Sequence, residues 1–252
     1  MNKPKHQNEE FLKSLPFFKR FEDDCLHKFL EAADVKDYPK GKSIFMPGDP
    51  ANRFFIILDG WIKLYRSTSQ GEESIVSIFT RGDIFGETAI FVDGTYSCSA
   101  DVAENATLLE IPAVFLRSIA QENPVVTNRI MSSMSSEIHK LQLEKEHLSI
   151  MTAPQRVGCL LIQLSSGIAG KGGTFTFPYD KSLAAARLGM KPETFSRALS
   201  QLMPFNVHVK GSEIQINSFD YLVQYVCGHC SVQGGGCRNT ADSHRDNKSS
   251  RS

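Results

Sequence analysis

The chain has 252 residues, and its 28 lysines and arginines balance 28 aspartates and glutamates, so the net charge neither favours nor excludes a nucleic-acid partner. The length allows one large domain or two modest ones. The apolar run FFIILDGWI contains Asp59 and is too short to span a bilayer, and the polar start MNKPKHQNEE shows no secretion signal. We therefore expect a cytoplasmic protein without a membrane partner.

Turn residues recur through the first half of the chain, from Gly41 to Gly94, and include the pair Asp59-Gly60. Runs rich in β-formers lie between the turns, such as RFFIIL, WIKLYRS and SIVSIFT. Turns about every ten residues are typical of an antiparallel sandwich or barrel. We therefore predict a β-roll over residues 35–112, preceded by a short helix at DCLHKFLEAA. The domain is predicted over residues 21–122, after an N-terminal extension of residues 1–20.

Residues 123–150 are predicted to form one long helix with a narrow apolar face, because apolar residues recur at steps of three, four and seven. Charged residues occupy much of the remaining surface. A helix of this kind usually packs along a second copy, which predicts a homodimer. The alternative is a helix that folds onto its own β-roll. The predicted dimer interface consists of Ile130, Met134, Ile138 and Leu141.

Residues 151–226 are predicted to form a compact second domain of short helices and a hairpin that turns at Gly211. Its most informative stretch is KSLAAARLGMKPETFSRALSQL, which has the pattern of a helix, a glycine turn and a second helix. Gly189 suits the sharp turn, and Pro192 suits the first turn of the second helix, where its missing N–H costs nothing. The sequence therefore predicts a winged helix-turn-helix, and an α+β fold for the whole chain.

The start of the second helix carries side chains that suit base readout in the major groove. An arginine can bond guanine bidentately, and a carboxylate can accept from cytosine. Residues 151–226 hold seven lysines and arginines against four aspartates and glutamates, so the domain is mildly basic. Arg187 and Lys210 also flank the hairpin and suit phosphate contacts. The predicted DNA-binding residues are Lys181, Lys191, Glu193, Thr194, Ser196 and Arg197.

The order of these elements resembles the CRP/FNR family of bacterial transcription regulators over roughly residues 10–226. The motifs that carry the resemblance are GDPANRFFIILDGWIKLY, RGDIFGETAIF and LGMKPETFSRALSQL. The resemblance implies a cyclic-nucleotide-binding-like β-roll, a dimerisation helix and a winged helix-turn-helix, with double-stranded DNA and RNA polymerase as partners. The pattern at Glu193, Ser196 and Arg197 is that of the oxygen-regulator type, which implies a palindrome like TTGAT-N4-ATCAA.

The same resemblance bears on the effector. Cyclic-nucleotide binders of the family follow Gly-Glu with an Arg-Ser pair that holds the cyclic phosphate. Gly86 and Glu87 are present, but Ser97 and Cys98 stand in place of that pair. Loss of the arginine removes a charge-assisted bond to phosphate, so cyclic AMP is not expected. Haem, as in relatives that sense nitric oxide or carbon monoxide, remains an alternative, with Cys98, Met46 or His27 as possible ligands.

The segment CGHCSVQGGGC places Cys227, Cys230 and Cys237 in a glycine-rich stretch that lets the chain wrap closely around a metal centre. Iron–sulfur binding, a zinc site completed by His229 or His244, and no metal at all remain open. Residues 227–252 are expected to be a flexible tail, since most of them are polar. The predicted metal ligands are Cys227, Cys230 and Cys237.

The tail also resembles that of the Bacillus-type oxygen regulators of the family, whose cluster cysteines are C-terminal. This implies a 4Fe–4S cluster with three thiolate ligands and one carboxylate near the dimerisation helix. The fourth ligand does not transfer to a single position in this chain. The candidates are Glu144, Glu146, Cys25, Cys98 and Cys159.

An enzyme is not expected, because no nucleophile and base, and no histidine cluster, stand at catalytic spacing. A ligand-binding module without DNA binding is the alternative of another class. Such modules lack a helix-turn-helix, so that motif distinguishes the two readings.

Overall fold

The computed structural model describes residues 8–19, 21–67, 69–71, 73–165, 173–177 and 180–228. The chain divides into two compact units, residues 1–139 and residues 140–252. The boundary falls inside a single long helix, α5 (Pro124–Ile150), which therefore contributes to both units. Among the helices that the structure describes, none is long and apolar enough to cross a membrane.

Unit 1 contains an antiparallel sheet with strand order β1-β6-β3-β4, in which β2 also pairs with β6 and β5 with β3. The long central strands β3 and β6 form most of the roll. This arrangement agrees with the predicted β-roll. The elements before α5 are α1 (Glu9–Ser14), α2 (Asp23–Ala32), β1 (Asp34–Tyr38), β2 (Ser43–Phe45), β3 (Arg53–Ser67), β4 (Glu73–Thr80), β5 (Ile84–Phe85), α3 (Glu87–Phe91), β6 (Ser99–Pro112) and α4 (Ala113–Glu122).

The predicted turn at Asp59-Gly60 is wrong, because β3 continues through these residues. The register against β6 shifts on both sides of Asp59, which marks a β-bulge. Gly60 has φ of 92°, a left-handed conformation that favours glycine. A Cβ atom at this position would lie 2.2 Å from the carbonyl oxygen of Asn105. Close approach of β6 therefore requires glycine here.

The segment predicted as an N-terminal extension contributes to the core of unit 1. Leu12, Phe17 and Phe18 are almost fully buried there. The rings of Phe17 and Phe18 meet Phe29 of α2 edge to face, with centroids 6.3 and 5.4 Å away. Such aromatic pairs add about 0.5–1.5 kcal/mol beyond their burial, so α1 and α2 stabilise the roll together.

Unit 2 packs α6 against α8 and α9 beside a three-stranded antiparallel sheet of order β7-β9-β8. Helices α6 and α9 approach closely at Gly158, where a Cβ atom would lie 2.6 Å from Cγ2 of Val226. A 3₁₀ turn at Met203–Phe205 precedes β8. The elements after α5 are α6 (Ala153–Ser165), β7 (Gly173–Thr176), α7 (Lys181–Arg187), α8 (Pro192–Ser200), β8 (Val207–Lys210), β9 (Glu213–Ile216) and α9 (Phe219–Cys227).

Candidate nucleic-acid interface

Helices α7 and α8 form the predicted helix-turn-helix. Asp180 caps α7 by accepting a hydrogen bond from the amide of Ser182 at 3.0 Å. Gly189 has φ of 61° and turns the chain, and the amide of Met190 then donates to Ala185 at 3.0 Å. Pro192 occupies the first turn of α8, where its fixed φ suits a helix start.

The inner face of α8 is held firmly in unit 2. Phe195 is fully buried, and its ring packs edge to face against Phe177 with centroids 6.1 Å apart. Nη1 of Arg156, on α6, donates to the carbonyl oxygen of Leu188 at 2.8 Å, immediately before the turn. These contacts fix the direction in which α8 presents its outer face.

The outer face of α8 carries the predicted base-contacting side chains. Glu193, Ser196 and Arg197 are exposed, and their spacing of three and four residues places them on one side of the helix. Lys191 is exposed at the cap, and Thr194 is half-buried. Within the described parts of the chain, neither Glu193 nor Arg197 forms an ion pair, so both charges are available to a ligand.

The wing is the hairpin of β8 and β9, which turns at Gly211 with φ of 63°. Nζ of Lys181 donates to the carbonyl oxygen of Gly211 at 2.6 Å, so this lysine connects the start of α7 to the wing. Lys210 and His208 are exposed on the outer face of β8, opposite Glu213 and Gln215. His208 was not among the predicted DNA-binding residues, although the alternation of NVHVK places it on the same face as Lys210.

The predicted dimer interface on α5 divides into two parts. Ile130 is only 6% exposed and belongs to the core of unit 1, against which Met134 is partly buried. The alternative of a helix folded onto its own roll is therefore correct for this part of α5, and Ile130 is unsuited to bind a partner. Ile138 and Leu141 are 59% and 51% exposed. A dimer interface at these two residues stays a prediction.

The β-roll retains the predicted Gly86 and Glu87 at the start of α3. Glu87 is 9% exposed, and burial together with the nearby carboxylate of Glu137 raises its pKa to about 7. Ser97 is exposed, and Cys98 is half-buried against the core. Burial raises the pKa of the Cys98 thiol, an effect that outweighs the attraction of the Arg66 charge. Neither side chain at 97 and 98 supplies a cation for a phosphate.

Of the predicted metal ligands, Cys227 alone falls on described residues. It ends α9 and is half-buried, whereas Cys230 and Cys237, with His229 and His244, lie outside the described residues. Cys25 and Cys159 are buried, and burial raises the pKa of the Cys25 thiol. The described residues contain no group of three or more histidine, cysteine or acidic side chains arranged to hold a metal. Of the candidates for a fourth cluster ligand, Glu144 is exposed and Glu146 is half-buried. The possible haem ligands Met46 and His27 are both exposed.

Comparison with known proteins gives a consistent assignment. Residues 35–123 match the cyclic nucleotide-binding domain family. The fumarate and nitrate reduction regulatory protein of Escherichia coli is 31% identical over 198 residues, which are 77% of this chain and 78% of that protein. The CRP-like cAMP-activated global transcriptional regulator of Mycobacterium tuberculosis is 23% identical over 220 residues, covering 86% of this chain and 98% of that protein.

A solved structure, FixK2 from Bradyrhizobium japonicum, shares the fold with a TM-score of 0.68 at 23% identity and covers 75% of this chain and 95% of its own. The fold of unit 1, the helix-turn-helix of unit 2 and the identity to the Escherichia coli regulator agree with one another. The chain belongs to the CRP/FNR family of transcription regulators.

Proposed function

We propose that this protein is a homodimeric regulator that binds a palindrome like TTGAT-N4-ATCAA through α8, with RNA polymerase as a further partner. The observation that carries the proposal is the exposed row of Glu193, Ser196 and Arg197 on a helix whose opposite face is buried. Each copy of α8 reads one half-site, because the two half-sites of a palindrome lie about one helical turn apart, roughly 34 Å.

Each side chain on the outer face of unit 2 has a chemical role in this proposal. Arg197 bonds a guanine, and Glu193 accepts from the amino group of a cytosine. Lys191 and Lys210 contact phosphates, which adds affinity without sequence preference. Lys181 holds the wing turn through Gly211 and keeps two further N–H groups for a phosphate.

The experiment is a fluorescence anisotropy titration of two duplexes, one with the palindrome and one with a scrambled sequence. We expect Arg197→Ala to weaken palindrome binding by about tenfold or more, because a bidentate base contact is worth about 1–3 kcal/mol. Binding to the scrambled duplex should change far less. Lys210→Ala serves as the matched control, since it should weaken both duplexes equally and reduce the salt dependence. Equal losses on both duplexes for Arg197→Ala would refute base readout by α8.

We further propose that the sensed signal is oxygen or redox state, detected by an iron–sulfur cluster on Cys227, Cys230 and Cys237. The spacing of the three cysteines supports this, and so does the lack of a cation at positions 97 and 98 to hold a cyclic phosphate. The name of the Escherichia coli relative, which refers to fumarate and nitrate reduction, is consistent with anaerobic regulation. Such a cluster would be labile to oxygen and would make the protein sensitive to it.

The position of Cys227 suits a signal that reaches α8. Cys227 ends α9, and α9 packs along α6, where Gly158 allows close contact with Val226. Helix α6 in turn holds the turn before α8 through Arg156 and Leu188. A change in the segment after Cys227 therefore acts on the element that orients α8.

Anaerobic purification followed by an absorption spectrum and by iron, sulfide and zinc analysis tests the cluster. We expect a broad visible band with iron and sulfide, and loss of both in Cys227→Ala. A colourless protein with stoichiometric zinc, or a protein with a Soret band, would show that zinc or haem occupies the protein instead.

A further inference from the structure

Unit 2 contains a cavity of about 100 Å³ between the last turns of α5, one side of α6 and the end of α7. Leu148, Leu160 and Leu188 form apolar walls, and Arg156, Arg187 and Glu144 bring charge to the lining. The cavity has no role in the proposed reading of DNA by α8.

The charges of the lining favour an anion. Two arginines and one glutamate line it, and within the described residues neither arginine lies within ion-pairing distance of an acidic side chain. His147 also lines the cavity. The two arginines therefore give the cavity a net positive charge.

Arg156 has bonding capacity left over. Its Nη1 donates to Leu188, but its Nε is buried without a hydrogen-bond partner among the described residues. Buried N–H groups without an acceptor are rare in folded proteins. A carboxylate in the cavity would bond the Nη1 and Nη2 edge of this guanidinium, whose fork of N–H groups matches its two oxygens.

We propose that this cavity binds a small organic carboxylate of about four to six non-hydrogen atoms, with the carboxylate at Arg156 and Arg187 and the carbon end against the leucines. Pockets for ligands the size of a nucleotide are about 300–1,000 Å³, so the small volume favours a shorter ligand. Inorganic phosphate would leave the leucine walls without an apolar contact. The geometry thus selects a short carboxylic acid.

The cavity lies beside the turn that precedes α8, so a bound ligand can affect the DNA-binding surface. Arg156 holds the carbonyl of Leu188, and Gly189 follows directly as the turn between α7 and α8. A carboxylate on Arg156 competes for, or tightens, this contact and so alters the position of the turn. This consequence rests on the proposed function, whereas binding of the ligand itself does not.

Isothermal titration calorimetry on the full chain, without DNA, tests the site with acetate and pyruvate as probes. Acetamide, inorganic phosphate and the longer succinate serve as comparisons. We expect saturable binding of acetate or pyruvate that is at least tenfold tighter than that of any comparison ligand. The site is overturned if phosphate or succinate binds as well, or if acetamide binds as tightly as the acids.

Variants assign the binding to the cavity. Arg187→Gln should weaken binding at least tenfold, and Arg187→Lys should weaken it less, because the charge stays while the bidentate geometry is lost. Arg66→Gln removes an exposed arginine of unit 1 and should leave binding unchanged. Thermal melts of each variant confirm folding. Wild-type affinity in both folded Arg187 variants would exclude the cavity as the site, even if the protein binds its palindrome as proposed.

Discussion

The carboxyl group of Glu87 is buried at the start of α3, beside the acidic Glu137 of α5. Burial disfavours the charged form, and the neighbouring carboxylate adds repulsion. Its pKa therefore rises from 4.5 to about 7 in the folded protein. Because the folded state retains a proton that the unfolded state has lost, the free energy of unfolding must fall as pH rises between these two values.

We predict that Glu87→Gln removes this pH dependence. The expected effect is on the order of 3 kcal/mol between pH 5 and pH 8, since each pKa unit corresponds to about 1.4 kcal/mol. Urea unfolding at several pH values, followed by the fluorescence of Trp61, the one tryptophan of the chain, measures the stability of unit 1. Glu10→Gln, at an exposed residue, is the control and should retain the wild-type slope. A wild-type slope in Glu87→Gln would show that another group causes it.

At single residues, the sequence predicts the backbone conformation better than it predicts which strand the residue pairs with. Gly60, Gly189 and Gly211 all adopt the positive φ that their turn signals suggest. Gly189 and Gly211 turn the chain because local hydrogen bonds close those turns. At Gly60 the pairing of β3 with β6 continues on both sides, so the same signal produces a bulge. That difference depends on a strand more than forty residues away, which local sequence does not specify.

At the scale of elements, α5 has a buried and an exposed set of apolar residues that one apolar pattern cannot distinguish. Ile130 belongs to the core of unit 1, whereas Met131, Ile138, Leu141 and Leu148 are exposed. The exposed residues recur at steps of seven and three, which is the spacing of a coiled-coil face. Periodicity identified the helix, but burial was needed to separate the face that packs inward from the face that can bind a second copy.

We predict that Ile138→Glu weakens dimerisation by at least about a hundredfold, because a carboxylate buried in an apolar interface costs several kcal/mol. Palindrome binding should fall with it, since two copies of α8 are required. Sedimentation velocity measures the dimer. Val125→Glu, at another exposed apolar residue of α5 outside the seven-residue spacing, is the matched control and should stay dimeric. A dimeric Ile138→Glu that still binds the palindrome would place the interface elsewhere.

Helix α4 shows the other limit of sequence reasoning. Ala113–Glu122 directly follows β6, and the sequence predicted a β-roll that ends at residue 112 but no helix over these ten residues. The helix is stabilised by burial of Leu116 and Ile119 in the core of unit 1. The helix-turn-helix was predictable because Gly189 and Pro192 mark the end and the start of adjacent helices. Local chemistry was sufficient there, as it was for the predicted face of α8.

For the whole molecule, the proposed function places a sensing segment after α9, a DNA-reading surface on α8 and dimerisation along α5. Unit 2 holds both ends of this connection, from Cys227 through α6 to Leu188. Coupling between two sites of one protein is typically worth about 1–3 kcal/mol, which is a change of roughly 5–150-fold in affinity. An oxygen-dependent change in palindrome binding should lie in this range.

The most direct measurement is a titration of the TTGAT-N4-ATCAA duplex with one anaerobically purified sample, before and after exposure to air. We predict that air lowers the affinity by roughly 5–150-fold while the visible absorption disappears. The scrambled duplex should bind weakly in both states, and Cys227→Ala should bind the palindrome like the air-exposed protein. Equal affinity for the palindrome before and after air would contradict the account.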